Sequence, residues 1–227
     1  MARTDTSFET TELRRELDRF LKSDFQGRPV GRYTFGVYAF YDYDGEPIYV
    51  GQTKEQVSTR IRRHLTNQRT DAVAMSVLDP FEVGEIEVWP LVDFQGITKK
   101  EDKERFSEAE GILNGLERRI FEKVIAASAF GAILNEKEPP PADLTIPVPN
   151  SFRQSVVSKK VKEVRDHPDV RIARRALTIS RLAQVISERQ VNPGLRHTLV
   201  AQAKRLEALA ERRLSDFEKH AFSLSDF

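Results

Sequence analysis

Residues 33–51 read YTFGVYAFYDYDGEPIYVG, and the fold turns on this stretch. From Tyr33 to Tyr43 it is aromatic and β-branched, Asp44-Gly45 is a strong turn signal, and Pro47-Ile48-Tyr49-Val50 resumes the apolar run. Two such runs around an Asp-Gly pair predict a β-hairpin. Downstream, residues 55–69 predict a helix with clustered arginines, and the alternation at Glu85-Ile86-Glu87-Val88-Trp89 predicts a third strand. A long helix is expected from about Lys103 to Ala127, interrupted near Gly111 or Gly115 and closed by Gly131. Ala132-Ile133-Leu134-Asn135 then reads as a short extended piece. Upstream, Phe8, Leu13, Leu17, Phe20 and Leu21 recur at helical steps, so residues 8–25 predict an amphipathic helix capped by Thr10 or Thr11.

Five prolines between Pro139 and Pro149 predict an extended linker rather than a packed element. Beyond it, Ile172, Ala176, Ile179, Ala183 and Ile186 line one helix face, and Leu195, Leu199, Leu206, Leu209 and Leu214 partly line another. Asn192-Pro193-Gly194 makes a turn between them, so an antiparallel helical hairpin is expected. The fold class is therefore read as α/β: a small antiparallel three-stranded sheet flanked by helices, with an all-helical C-terminal region. The expected boundaries are an N-terminal helical arm (1–30), the sheet-bearing domain (31–137), a Pro-rich linker (138–150) and a basic helical region (151–227).

Composition excludes several classes. Of the 227 residues 39% are hydrophobic and 31% charged, enough for a core with much solvated helix. No run approaches the ~18 apolar residues of a membrane span, and the polar N-terminus does not read as a secretory signal. With no cysteine, disulfides, thiolate zinc sites and cysteine nucleophiles are excluded, and a cytoplasmic setting is expected. The net charge of +1 conceals an asymmetry, because residues 151–227 carry 16 Lys+Arg against 9 Asp+Glu. Such a basic region either meets a polyanion or packs on its own acidic body.

All five tyrosines lie between Tyr33 and Tyr49. Hairpin packing accounts for some of them but not for the layout Gly36-Val37-Tyr38 and Tyr49-Val50-Gly51 on paired strands, followed by Arg60 and His64 on the next helix. In these residues the chain resembles the GIY-YIG endonucleases, whose two tripeptides stand here as GVY and YVG. The resemblance extends over residues 31–136 and implies a metal-binding glutamate on a later helix, matched by Glu117, and an asparagine beyond it, matched by Asn135. It implies a divalent-metal-dependent endodeoxyribonuclease that uses Mg²⁺, with Mn²⁺ able to substitute. Tyr38 is then the general base and Tyr49 the second member of the network. Arg60 offers donors to a phosphate oxygen, His64 lies one turn on, and Glu117 holds the metal. Lys54, Arg62, Arg63 and Arg69 are expected to contact DNA, beside an enlarged connection at residues 66–84.

Chain architecture separates the branches of that family. The chain is short for the added modules of repair incision proteins, and its lack of cysteine argues against the zinc finger of structure-specific resolvases. An N-terminal arm and extra helices around one domain most resemble a stand-alone restriction or phage-defence enzyme. The alternatives are a homing or repair-type nuclease, or a nuclease-fold DNA-binding subunit of a larger complex. DNA is the expected partner, with homodimerisation through the C-terminal helices.

Overall fold

The structure, a computed structural model, describes residues 7–66, 78–131, 133–135, 138–142, 146–188, 190–191 and 193–224. Helix α1 (Phe8–Lys22) leads into a two-stranded ribbon, β1 (Asp24–Phe25) and β2 (Arg28–Pro29). The predicted hairpin is β3 (Gly36–Tyr41) and β4 (Pro47–Thr53), followed by α2 (Val57–Leu65) and β5 (Glu85–Pro90). Then come α3 (Lys103–Ala127), β6 (Phe152–Ser155), α4 (Lys159–Arg165), α5 (Pro168–Glu188) and α6 (Pro193–Leu224).

The main sheet is antiparallel in the order β4-β3-β5-β6. Every residue of β3 is buried, because it is a central strand covered on both faces. Its alternation feeds two cores. Tyr38 and Phe40 pack with Ile86 and Val88 against Leu17 and Phe20 of α1 and Ile61 and Leu65 of α2. Val37, Ala39 and Tyr41 pack with Val50 and Trp89 against Leu113, Leu116 and Ile120 of α3. At the hairpin tip Gly45 takes φ +75°, and the Asp42 carboxylate accepts from the N–H groups of Asp44 (2.9 Å) and Glu46 (3.0 Å).

Local details differ from the sequence expectation. The α1 cap is Ser7, whose hydroxyl accepts from the Thr10 N–H, rather than Thr10 or Thr11. Helix α3 runs unbroken for 25 residues through Gly111 and Gly115 and ends at Ala127, before Gly131. An isolated glycine costs a helix only about 1 kcal/mol, and the buried face of α3 outweighs that.

Two larger corrections concern the C-terminal half. The main sheet has four strands rather than three, and residues 151–227 are not all helical, because β6 pairs with β5 from Glu85↔Ser155 to Val88↔Phe152. Phe152 stacks near Phe20 and Phe25 at centroid distances of 5.6 and 5.8 Å, which anchors this edge strand. The Pro-rich segment is packed in part: Pro139 is buried, Arg118 donates to its carbonyl at 3.0 Å, and Arg119 donates to the Ile146 carbonyl.

The basic region pairs with its own body. Buried Arg171 meets Asp44 at 2.9 Å and Asp42 at 3.4 Å, and buried Arg175 meets Glu82 at 3.0 Å. Arg174 grips Asp79 with two nitrogens, and Arg205 donates to the Pro47 carbonyl. The helical hairpin α5–α6 is thus held to the tip of the β3–β4 hairpin.

Candidate active site

The turn from β4 into α2 brings Arg60 and His64, one helical turn apart, onto the sheet face carrying Tyr38 and Tyr49. The Tyr38 hydroxyl lies 2.5 Å from His64 Nε2, and Arg60 Nε donates to the same hydroxyl oxygen at 3.3 Å. Tyr49, half-buried, packs beside them, and both Tyr38 and Arg60 act to lower its phenol. The Tyr38, Tyr49 and His64 ring centroids lie 5.6–6.1 Å apart. Two side chains foreseen as catalytic, His64 and Arg60, therefore meet at the Tyr38 phenol, and a third, Tyr49, packs beside it.

Gly51 makes this possible. It sits opposite Tyr38 in the β3–β4 register, and a Cβ there would fall 2.6 Å from the Tyr38 hydroxyl oxygen and 2.8 Å from Tyr49 Cε1. Gly51→Ala is therefore expected to leave the sheet assembled while pushing both phenols out of line. Nuclease assays on the folded variant should show a loss of about 10²-fold or more, the size of effect that misplaced catalytic groups produce.

Burial, reinforced by Arg60 and Arg63, holds His64 down to about 3, so its imidazole is neutral at physiological pH. Burial raises Tyr38 well above the ordinary phenol value, with the neighbouring Tyr49 adding to the shift. Tyr49 is also raised by burial, but Arg60 and Tyr38 both oppose the rise. Arg60 thus favours an ionised phenol, and of the two tyrosines Tyr49 is the more exposed. Tyr38 is fully buried, and neither tyrosine is among the residues that line the adjoining cavity.

That cavity, about 390 Å³ and open to solvent, is walled by Gln52, Thr53, Lys54, Glu55 and Arg60. Glu117 of α3 approaches from the opposite face of the sheet, round the free edge of β4. Burial pushes its carboxyl up to about 7, while Arg60 and two donors from Gln52, one side-chain and one backbone, hold it down. Among the described residues no three His, Cys, Asp or Glu side chains gather into a metal site. One half-buried carboxylate close to Arg60 and Gln52, which do wall the cavity, suits a cation of the Mg²⁺ kind, which keeps several waters and takes its other ligands from phosphate. Gln52 Oε1 is shielded and without a hydrogen-bond partner, which costs about 1–3 kcal/mol until a bound group supplies a donor.

The raised Glu117 carboxyl carries a stability consequence. Its folded value of about 7 lies above the ordinary 4.5, so the folded state resists ionisation. The penalty is absent below the unfolded value, grows as pH rises through the interval, and is complete above the folded value. Glu117→Gln is therefore expected to be more stable than the natural chain by up to about 3 kcal/mol above neutrality, with no difference near pH 4.5. Urea unfolding at both pH values measures this, and equal stabilities throughout would refute it.

Other expected residues lie elsewhere. Asn135 clamps the free edge of β4: it accepts from the Val50 N–H at 3.1 Å and donates to the Val50 carbonyl at 2.7 Å. Lys54, Arg62 and Arg63 surround the site, each with a carboxylate partner: Glu110 (2.5 Å), Asp18 (2.7 Å) and Glu55 (2.8 Å). Arg69 lies outside the described residues. Sequence reasoning missed Gln52, although it directly follows the second tripeptide and strand alternation carries its side chain to the α3 face.

The search of curated proteins and that of solved structures each return no match. Residues 34–120 match the family model for the GIY-YIG catalytic domain. The matched span runs from the strand of Tyr38 to the helix of Glu117 and ends before Asn135, enclosing the Tyr38–Tyr49–Arg60–His64 cluster described above. Over residues 34–120 the chain thus carries a region similar to the GIY-YIG catalytic domain, which places a nuclease domain on this sheet.

Proposed function

We propose that the protein is a divalent-cation-dependent DNA endonuclease of a restriction or phage-defence system. The observation that carries this reading is the cluster of two phenols, a guanidinium and a neutral imidazole beside an open cavity that Arg60 helps to wall. Phosphodiester hydrolysis needs a base for the attacking water and positive charge on the phosphate. Tyr49, the more exposed phenol, whose ionisation Arg60 favours, takes the proton from water. Tyr38 and His64 sit behind it as a buried relay, which moves the base role from Tyr38 to its neighbour.

Arg60 donates to a non-bridging phosphate oxygen, and Asn135 keeps the Tyr49–Gly51 edge straight. Glu117 holds the Mg²⁺ or Mn²⁺ ion, which when bound supplies positive charge to the phosphate and the leaving oxygen. Lys54, Arg62 and Arg63 exchange their carboxylate partners for DNA phosphates, a change open to exposed pairs because these are individually weak.

The restriction reading is supported by α5–α6, whose arginines grip the catalytic hairpin instead of trailing as a DNA-binding tail. Exposed Leu177, Val200, Leu214 and Phe217 on these helices supply apolar surface for the homodimer that a double-strand cut calls for. A cysteine-free chain suits action in the cytoplasm.

Incubating the purified protein with supercoiled DNA in Mg²⁺ or in EDTA, then sequencing the cut ends, tests the proposal. Ends at one short fixed sequence, formed only with the cation, are expected. Full activity in EDTA would remove the cation, scattered or structure-dependent ends would favour a repair-type enzyme, and binding without cleavage would favour a DNA-binding subunit.

A further inference from the structure

The free edge of β4 carries an argument beyond the residues expected from sequence. Ile48 and Val50 turn backbone groups toward this edge, and residues 134–135 satisfy them: the Leu134 N–H donates to the Ile48 carbonyl at 2.7 Å, and Asn135 brackets Val50. Gln52 is the next residue of the same alternation, so its N–H points outward as well. Among the described residues no backbone carbonyl meets it there. The Glu117 carboxylate lies close by, and Gln52 favours its charged form. The Gln52 side chain is oriented in turn, because Nε2 donates to Asn114 Oδ1 at 2.9 Å from the turn of α3 preceding Glu117. The same amide favours the charged form of Glu117, and its buried Oε1 has no partner among the described residues, while Gln52 itself lines the cavity.

Resting on the cation reading of Glu117, we propose that Gln52 is the positioning residue of the cation site. Its backbone N–H and its amide, steadied by Asn114, hold the Glu117 carboxylate toward the cavity, and its unpaired Oε1 accepts from a water of the hydrated ion. Partners of this kind around a metal ligand set its orientation and are typically worth about 10–100-fold in metal affinity. Gln52 belongs to β4 and Asn114 to α3, so the pair also ties together the two elements that approach the ion from different sides of the sheet.

The test is a titration of full-length protein with Mn²⁺ alone, read by the electron paramagnetic resonance signal of the free ion. Gln52→Met keeps the length of the side chain and removes the amide, and Asn114→Ala removes only its exposed partner. Gln52→Met is expected to weaken Mn²⁺ binding about tenfold and Asn114→Ala less, at an unchanged unfolding midpoint. The Mg²⁺ concentration for half-maximal cleavage should rise in parallel. Natural Mn²⁺ affinity in Gln52→Met, while Glu117→Gln abolishes binding, would overturn the role of Gln52 and leave the cation site intact. Undiminished binding in Glu117→Gln would overturn the cation site itself, and this proposal with it. If Gln52→Met fails to fold, Asn114→Ala decides alone, and an unchanged affinity there overturns the proposal.

Discussion

Arg60→Ala should lower the rate of DNA cleavage by about 10²–10³ at neutral pH, the effect of removing one preorganised charge from a transition state. The loss is larger than that of a surface phosphate contact because Arg60 acts on three groups at once. It donates to Tyr38, it opposes the burial-driven rise of Tyr49, and it holds down the Glu117 carboxyl. Without it both Tyr49 and Glu117 become harder to ionise. The pH–rate profile of the variant should therefore shift toward alkaline pH as well as fall in height. Arg60→Lys keeps the charge but loses the planar fork, and should lie between the two. Single-turnover cleavage across neutral and alkaline pH measures both effects. A lower rate with an unshifted profile would mean that Arg60 serves the phosphate alone, and a natural rate would remove it from the site.

Ending the chain at Asn150 should abolish folding rather than trim away an accessory tail. The cut removes β6, exposing the edge of β5, and takes away Phe152 together with the fully buried Val156. It also strips Arg171 and Arg175 from Asp42 and Glu82, carboxylates 2% and 7% exposed. Leaving one buried charge without its partner costs about 3–5 kcal/mol, and a domain has only about 5–15 kcal/mol in total. Circular dichroism of the shortened chain should show the loss of cooperative unfolding. Arg171→Ala isolates one part of the effect: about 3–5 kcal/mol lost in urea unfolding, with cleavage kept under conditions where the variant is folded. A shortened chain that folds and cuts DNA would show that the helical region is dispensable.

Much of the site was legible because its signals are local. Asp44-Gly45 specifies a turn by its own backbone preferences, and the aromatic and β-branched runs beside it specify strands. The four-residue step from Arg60 to His64 sets two side chains on one helix face. Glycine at position 51 was readable as part of a tripeptide, but its reason, the Tyr38 ring lying across it, is a contact between strands.

Other features carry no local signal. Phe152–Ser155 is too short for alternation to be seen, and it becomes a strand only because the edge of β5, more than 60 residues earlier, offers hydrogen bonds. The arginines of residues 171–213 looked equally suited to a polyanion or to the protein's own body. Asp42, Asp44, Asp79 and Glu82 decided in favour of the body once the hairpin and its neighbouring turn placed them together. Gln52 was hidden for the same reason, since its meaning depends on Asn114 and Glu117, brought to it by a helix on the other face of the sheet. Periodicity and turn chemistry reach only a few residues along a chain, so the sequence alone determined most of the elements and the members of the Tyr38 cluster. Which charges are buried, which edge is covered and what holds Glu117 depend on groups distant in sequence, and only the tertiary structure decided them.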